Sequence, residues 1–130
     1  MKHYNVVAAV VCHDGKYLCM QKGKTKFEYT SYKWEFPGGK IEPGETPQQA
    51  LARELMEEME YPVEVGDKLV TVNHEYPDFS ITMTAFLCTP KGDADGFKRR
   101  EHADSKWCSQ EELKGLDWAA ADVGVVASIL

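Results

Sequence analysis

Residues 38–60 of the chain read GGKIEPGETPQQALARELMEEME. Thr46 is a good helix N-cap, Pro47 suits the first helical position, and Gln49 completes a capping box three residues after Thr46. These signals predict a helix over 46–59 that begins directly after a glycine-rich loop. A loop that leads into a helix N-terminus can bring backbone amides close to a ligand.

The predicted helix carries an apolar face. At about 100° per residue, Leu51, Leu55 and Met59 point the same way, with Ala52 at the edge of the stripe. Such a stripe is typical of a helix that packs on a core. We therefore expect this side of the helix to be buried.

A second face of the helix is acidic. Glu54, Glu57 and Glu58 are spaced i, i+3, i+4, and Arg53 lies beside Glu57. Neighbouring carboxylates destabilise an isolated helix by roughly 0.2–0.5 kcal/mol per pair. Most glutamate-rich faces are simply solvated, but a hard divalent cation such as Mg²⁺ would offset this repulsion. Together with the glycine-rich loop, the face indicates diphosphate chemistry, in which a carboxylate orients or deprotonates water.

Length and composition restrict the class of protein. The 130 residues suit a single domain over 1–130, and 43% apolar with 28% charged residues is a globular balance. The longest apolar run, Val6–Cys12, is too short for a bilayer span, and a signal peptide pattern is absent, so we expect a cytoplasmic protein with no membrane partner. A net charge of −6 argues against nucleic acid as a partner. The four cysteines include no C-x-x-C pair, so neither a zinc site nor a redox motif is indicated.

The remaining elements predict an α/β fold with a mixed sheet flanked by helices. An Asp14-Gly15 turn separates the first two strands, and Ser109 caps a second helix with Glu112 in the box position. Strands and helices do not alternate as regular βαβ units. The predicted strands cover 4–12, 17–21, 34–36, 68–75, 81–88 and 106–108, and the last helix covers 122–130.

Residues 39–61 resemble the Nudix box. Gly39 is followed after five residues by Glu45, and after seven more by the run RELMEEMEY over 53–61. One position departs from the box, because Glu60 stands where the motif has glycine. That position is a helix C-terminal cap, so we expect Glu60 to be strained in a left-handed conformation by roughly 1 kcal/mol.

The resemblance extends beyond the box. Residues 34–40, WEFPGGK, are similar to the segment before the box in MutT-type enzymes, and residues 107–109 with Asp122 are similar to the CTP pyrophosphohydrolase branch. The resemblance implies a Nudix-type α/β/α sandwich with a mixed β-sheet. It also implies hydrolysis of a nucleoside triphosphate to the monophosphate and pyrophosphate, with Mg²⁺ or Mn²⁺ as cofactor.

The resemblance assigns roles to residues of the carboxylate region. Arg53 would orient the glutamates, and Glu45 would tie the loop to the helix. Glu54, Glu57 and Glu101 all stay open as the general base. The implied metal ligands are the carboxylates of Glu54, Glu57, Glu58 and Glu101 and the backbone carbonyl of Gly38.

A substrate pocket is implied on the same grounds. Lys22 matches a basic position that contacts the substrate, and Phe36, Tyr76 and Asp122 fall where the nucleobase is held. An aspartate there can accept hydrogen bonds from the cytosine amino group or from guanine N1–H and N2–H₂. MutT proper has an amide at this position, so Asp122 favours CTP, dCTP or modified cytosine nucleotides.

Two alternatives remain from the sequence. One is an 8-oxo-dGTP diphosphatase with the same chemistry, and the other is a Nudix module that binds a nucleotide without hydrolysing it. The intact set of carboxylates favours the enzyme. The oligomeric state stays open between a monomer and a homodimer.

Overall fold

The structure is a computed structural model that describes residues 1–130. Three helices accompany seven strands. The helices are α1 (Pro47–Met59), α2 (Gln110–Leu113) and α3 (Ala120–Ile129). The strands are β1 (Lys2–His13), β2 (Lys16–Lys22), β3 (Trp34–Glu35), β4 (Gly38–Lys40), β5 (Val63–Glu75), β6 (Phe79–Pro90) and β7 (His102–Cys108).

Strand β1 is the centre of a mixed sheet. It runs parallel to β6 and antiparallel to β2 and β4. The strand order is β3-β2-β1-β6-β5, while β4 also pairs with β1 and β7 pairs with β2. The prediction of a mixed sheet is confirmed.

The two faces of β1 feed two separate apolar cores. Val7, Ala9 and Val11 pack with the apolar face of α1, whereas Ala8 and Val10 pack with α3 on the other side. Successive side chains of a strand point to opposite faces, so one short apolar run serves both layers. The result is the α/β/α sandwich that the resemblance implied.

Helix α1 forms as its sequence predicts. Thr46 and Gln49 make both hydrogen bonds of the capping box. Leu51, Leu55 and Met59 are buried, and Ala50, which was not on the predicted stripe, is buried with them. Helix α1 therefore lies with its apolar face against the sheet and its glutamates away from it.

Glu60 ends α1 in the left-handed conformation that its motif position predicts. Its φ and ψ are 46° and 42°, and its N–H donates to the carbonyl groups of Leu55 and Met56.

The turn between β1 and β2 is also as predicted. Asp14 and Gly15 have φ of 51° and 74°, and His13 pairs with Lys16.

Several element boundaries differ from the predicted ones. Residues 38–40 form strand β4 rather than loop, because Gly38 pairs with Ala8 and Lys40 with Val6 of β1. Strand β5 begins at Val63 and strand β7 at His102, well before their predicted starts. Pairing with β6 and β2 supplies these extensions, of which the first carries the buried Val63 and the second is polar.

The four cysteines are free, and three of them are buried. The helices are all too short or too polar to cross a membrane.

Burial of α1 generates a stability prediction. Leu55 is 1% exposed, and its neighbour Met56 is 47% exposed. We expect Leu55→Ala to lower the free energy of unfolding by about 2–5 kcal/mol, because it leaves a cavity under the helix, and Met56→Ala to lower it by about 0.5 kcal/mol or less. Urea unfolding measures both, and equal losses in the two variants would contradict the packing of α1.

Candidate functional site

Arg53 ties the segment before α1 to the helix. Its Nε and Nη2 atoms donate to both carboxylate oxygens of Glu45, at 2.6 and 2.9 Å. Nη2 also donates to the carbonyl oxygen of Lys40 at 3.1 Å, and the N–H of Glu42 donates to Glu45. The hydrogen bond from Arg53 holds the pKa of Glu45 below its usual range. The structure therefore brings Arg53 and Glu45 together.

The same guanidinium reaches the acidic face. Nη1 of Arg53 donates to Glu54 Oε1 and to Glu57 Oε2, both at 3.1 Å. A planar guanidinium with several donors can hold several carboxylates in one plane. Arg53 therefore sets the orientation of two glutamates as well as that of Glu45.

Glu54 and Glu58 form the most buried part of the acidic face. The Glu54 side chain is 13% exposed, and its negative charge acts on the nearby carboxyl group of Glu58. Burial raises the pKa of Glu58, and the negative charges of Glu54 and Glu101 raise it further. These two acids therefore repel each other when both are ionised.

Glu57 and Glu101 are placed differently. The Glu57 side chain is 60% exposed and pairs with Arg53. Glu101 is exposed, makes no ion pair, and directly precedes β7. The side chains, as oriented, bring no three His, Cys, Asp or Glu together to hold a metal ion. Arg53 thus links Glu57 to Glu54 by hydrogen bonds, and Glu101 is near enough for its charge to act on Glu58 although it makes no ion pair.

The chemistry of this face fits a hard divalent cation. Its donors are all oxygens, which Mg²⁺ and Mn²⁺ accept. Two adjacent, partly buried carboxyl groups are electrostatically strained when ionised, and a cation between them would remove that strain. Glu54 and Glu58 are therefore suited to the cofactor that the sequence predicts.

Gly38 and Gly39 lie where the backbone approaches other groups closely. A Cβ at Gly38 would collide with the backbone of Val7, while one at Gly39 would collide with the carboxyl group of Glu54. Only glycine allows both approaches. Gly39 therefore brings strand β4 directly against the acidic face.

A cavity of about 1030 Å³ opens beside the two glycines. Gly38 and Gly39 belong to its lining. Its other walls include all four residues that the sequence predicts for the substrate, namely Lys22, Phe36, Tyr76 and Asp122. The structure therefore brings these four together and places them next to the acidic face.

Asp122 is the buried acid of this cavity. It is 2% exposed, and its Oδ1 accepts a hydrogen bond of 2.9 Å from the N–H of Phe36. Burial raises the pKa of Asp122, and the nearby charge of Glu35 adds to the effect. A carboxyl group in this environment is held in its neutral form over a wide pH range.

The aromatic residues of the cavity are fixed by contacts of their own. The Tyr76 hydroxyl accepts a hydrogen bond of 3.1 Å from the N–H of Ala121, one residue before Asp122. The Phe36 ring stacks on Trp118 at 4.8 Å. Both side chains are nearly fully buried, so they form rigid walls.

Glu35 is a site residue that the sequence did not single out. Its Oε1 lies 3.6 Å from Lys22 Nζ, and its Oε2 is 2.9 Å from His102 Nε2. The His102 side chain is buried, its Nδ1 has no partner, and a positive charge on its ring would lower the pKa of Glu58. Pairing of β3 and β7 with β2 creates this contact, and no local motif signals it.

Known proteins show close similarity to this chain. The NUDIX domain model matches residues 1–128. The CTP pyrophosphohydrolase of Escherichia coli strain K12 is 34% identical over 131 residues, which cover 100% of this chain and 93% of the relative. The 8-oxo-dGTP diphosphatase of Proteus vulgaris is 41% identical over 88 residues, 68% of this chain and 78% of the relative. The solution structure of the E. coli ORF135 protein has a TM-score of 0.82 and 33% identity, covering 99% of this chain and 89% of that one.

Asp122 generates a prediction about pH and stability. The folded protein keeps a proton on Asp122 at pH values where the unfolded chain, with a pKa near 3.8, has lost it. Its contribution to stability is therefore fully present below about pH 4 and is lost as the pH rises towards the folded pKa. Asp122→Asn keeps the acceptor for Phe36 but cannot ionise, so we expect a smaller fall in the free energy of unfolding from pH 5 to pH 8 than in the wild type.

Urea unfolding at the two pH values measures this difference. Asp117→Asn is the matched control, because Asp117 is exposed and pairs only with Lys33. We expect the control to follow the pH dependence of the wild type. An identical fall in the wild type and in Asp122→Asn would contradict the assignment of a raised pKa to Asp122.

Proposed function

This chain belongs to the Nudix family and is a nucleotide pyrophosphohydrolase, and we propose that it prefers CTP, dCTP or modified cytosine nucleotides. The proposed reaction yields the nucleoside monophosphate and pyrophosphate. The observation that carries the choice of base is Asp122, a buried acid in a cavity that ends at the acidic face of α1. The E. coli CTP pyrophosphohydrolase, similar over the whole chain, supports the same choice.

A neutral Asp122 complements the edge of cytosine. Its O–H can donate to the ring nitrogen N3, while its carbonyl oxygen accepts from the exocyclic amino group. Oδ1 already accepts from Phe36, and a carbonyl oxygen has a second lone pair for the base. An ionised Asp122 can only accept, which suits guanine N1–H and N2–H₂ instead. The raised pKa of Asp122 therefore supports cytosine as the preferred base.

The aromatic walls and Lys22 would hold the rest of the nucleoside. Phe36 and Tyr76 line the cavity, and we propose that the base packs against the parts of these side chains that face it. Lys22 carries a positive charge into the same cavity, although Glu35 partly neutralises it. We propose that Lys22 contacts the substrate through its charge.

The phosphate chain would pass Gly38 and Gly39 to reach the acidic face. Gly39 both lines the cavity and packs on Glu54, so the two parts of the site meet there. A bound Mg²⁺ or Mn²⁺ supplies positive charge to the phosphates and polarises water. The groups proposed to hold the metal are Glu54, Glu57, Glu58, Glu101 and the Gly38 carbonyl.

The general base is proposed among Glu54, Glu57 and Glu101. Glu54 and Glu57 both accept hydrogen bonds from Arg53. Glu101 has no cationic partner among the ion pairs of the structure, and this supports Glu101 as the group that takes a proton from water. Arg53 would keep the other carboxylates oriented.

The second candidate substrate is 8-oxo-dGTP. The Proteus vulgaris relative that carries this activity in its name is 41% identical over 68% of the chain. The same carboxylate chemistry would serve both substrates, and only the base end of the cavity would distinguish them. Hydrolysis of 8-oxo-dGTP would give the enzyme a role in sanitising the nucleotide pool.

A panel of nucleotides tests the proposal. We expect kcat/KM for pyrophosphate release with Mg²⁺ to be highest for CTP, dCTP or 5-methyl-dCTP. We also expect the preference for dCTP over dGTP to shrink as rising pH ionises Asp122, and Asp122→Asn to abolish that pH dependence. A higher kcat/KM for 8-oxo-dGTP at every pH would favour the second candidate, and release of orthophosphate alone would contradict the reaction.

Gly39 provides a test of how the two parts of the site meet. In Gly39→Ala the new methyl group would displace the Glu54 carboxyl group, a flexible side chain, so the fold should persist. We expect kcat to fall about 100-fold, a typical result of misplacing a reacting group, with little change in Tm. Gly23→Ala is the matched control, because the added methyl meets no atom within 4 Å. Wild-type kcat in Gly39→Ala would contradict a role for Glu54.

A further inference from the structure

The C-terminal end of α1 combines backbone strain with an unusual charge. Glu60 adopts a left-handed conformation, which glycine accepts freely and a residue with a side chain does not. The motif that the rest of the box matches has glycine at this position. Because a glutamate at this position is strained, we expect contacts of its side chain to offset the cost of the left-handed conformation.

The side chain of Glu60 pairs with the segment that precedes β7. Its Oε2 contacts Nη2 of Arg100 and lies 3.1 Å from Nζ of Lys98. This oxygen is buried although the residue lies at the surface of the fold. Two cations from one segment therefore converge on one carboxylate. Such a network of charges contributes more to stability than an isolated surface ion pair does.

The same segment makes backbone contacts with the end of α1. The N–H of Lys98 donates to the carbonyl oxygen of Met59 at 2.8 Å, and Nη1 of Arg100 donates to that of Glu57 at 3.2 Å. The Phe97 ring meets Tyr61 edge-on at 5.5 Å. These donors satisfy carbonyl groups that a helix end leaves free. Residues 97–100 are thus docked on the last turn of α1.

We infer that Glu60 is a positioning residue, which anchors residues 97–100 on α1 and thereby places Glu101 for the reaction. Glu101 follows Arg100 directly, is exposed, and has no ion pair of its own, so its position depends on the docked residues before it and on β7 after it. The consequence for catalysis rests on the role of Glu101 in the proposed function. The anchoring itself does not depend on that role.

Two substitutions separate the charge of Glu60 from its backbone strain. Glu60→Gln removes the charge and keeps the strain, whereas Glu60→Gly, which restores the motif residue, removes both. We expect residues 97–101 to loosen in both variants. We expect Tm to be higher in Glu60→Gly than in Glu60→Gln, because glycine relieves the left-handed strain.

Limited proteolysis and kinetics measure the two consequences. Trypsin cleaves after Lys98, Arg99 and Arg100, and we expect cleavage of the metal-free protein there to be about fivefold faster in both variants. We expect kcat to fall about fivefold in both, with a smaller change in KM. Glu111→Gln is the control, because it removes a 3.0 Å surface ion pair with Lys114 on α2, and wild-type cleavage and kcat are expected for it.

The outcomes distinguish anchoring from a purely structural role. Cleavage at the wild-type rate in both Glu60 variants would overturn the anchoring, and faster cleavage with wild-type kcat would overturn the positioning of Glu101. Glu101→Gln, assayed alongside, separates this inference from the proposed function. Wild-type kcat in Glu101→Gln would refute the role of Glu101 there, whereas a loss confined to Glu101→Gln would refute the inference alone.

Discussion

The hydrogen bonds of Arg53 are the constraint on which the arrangement of the site depends. One guanidinium holds Glu45 and the Lys40 carbonyl on the segment before α1, and it holds Glu54 and Glu57 on the helix itself. Charge-assisted hydrogen bonds of this kind are directional as well as strong. The glycine-containing segment and the acidic face therefore keep a common orientation, although they belong to different elements.

The central strand explains why the acidic face and the cavity lie side by side. Strand β1 pairs with β4, which places Gly38 and Gly39 between the cavity and Glu54. A second connection runs from Glu35 in the cavity to His102, which is near enough to Glu58 for a positive charge on its ring to lower the pKa of that acid. The sheet makes both connections through strand pairing. It joins the part that would recognise a base to the part that would act on phosphates.

Buried acids give the site its electrostatic character. Burial raises the pKa of both Glu58 and Asp122, but the surroundings of the two groups differ. Glu58 faces a second carboxyl group and suits a cation, whereas Asp122 is enclosed by apolar walls and a backbone N–H and suits a neutral hydrogen-bonding role. The local environment, and not the net charge of the chain, therefore determines the pKa of each carboxyl group. Two carboxyl groups of the same chain can thus be suited to different roles.

Local sequence determined helix α1, its capping box, its buried and acidic faces and the left-handed Glu60, because each depends on residues within a few positions of one another. Matching of residues 39–61 to the Nudix box also identified the family and the groups around Arg53. Tertiary structure alone decided that Gly38–Lys40 is a strand, that Gly39 packs against Glu54, and that Glu35 joins His102. These features arise from pairing between strands far apart in the chain, and such contacts leave no periodic signal in the residues that make them.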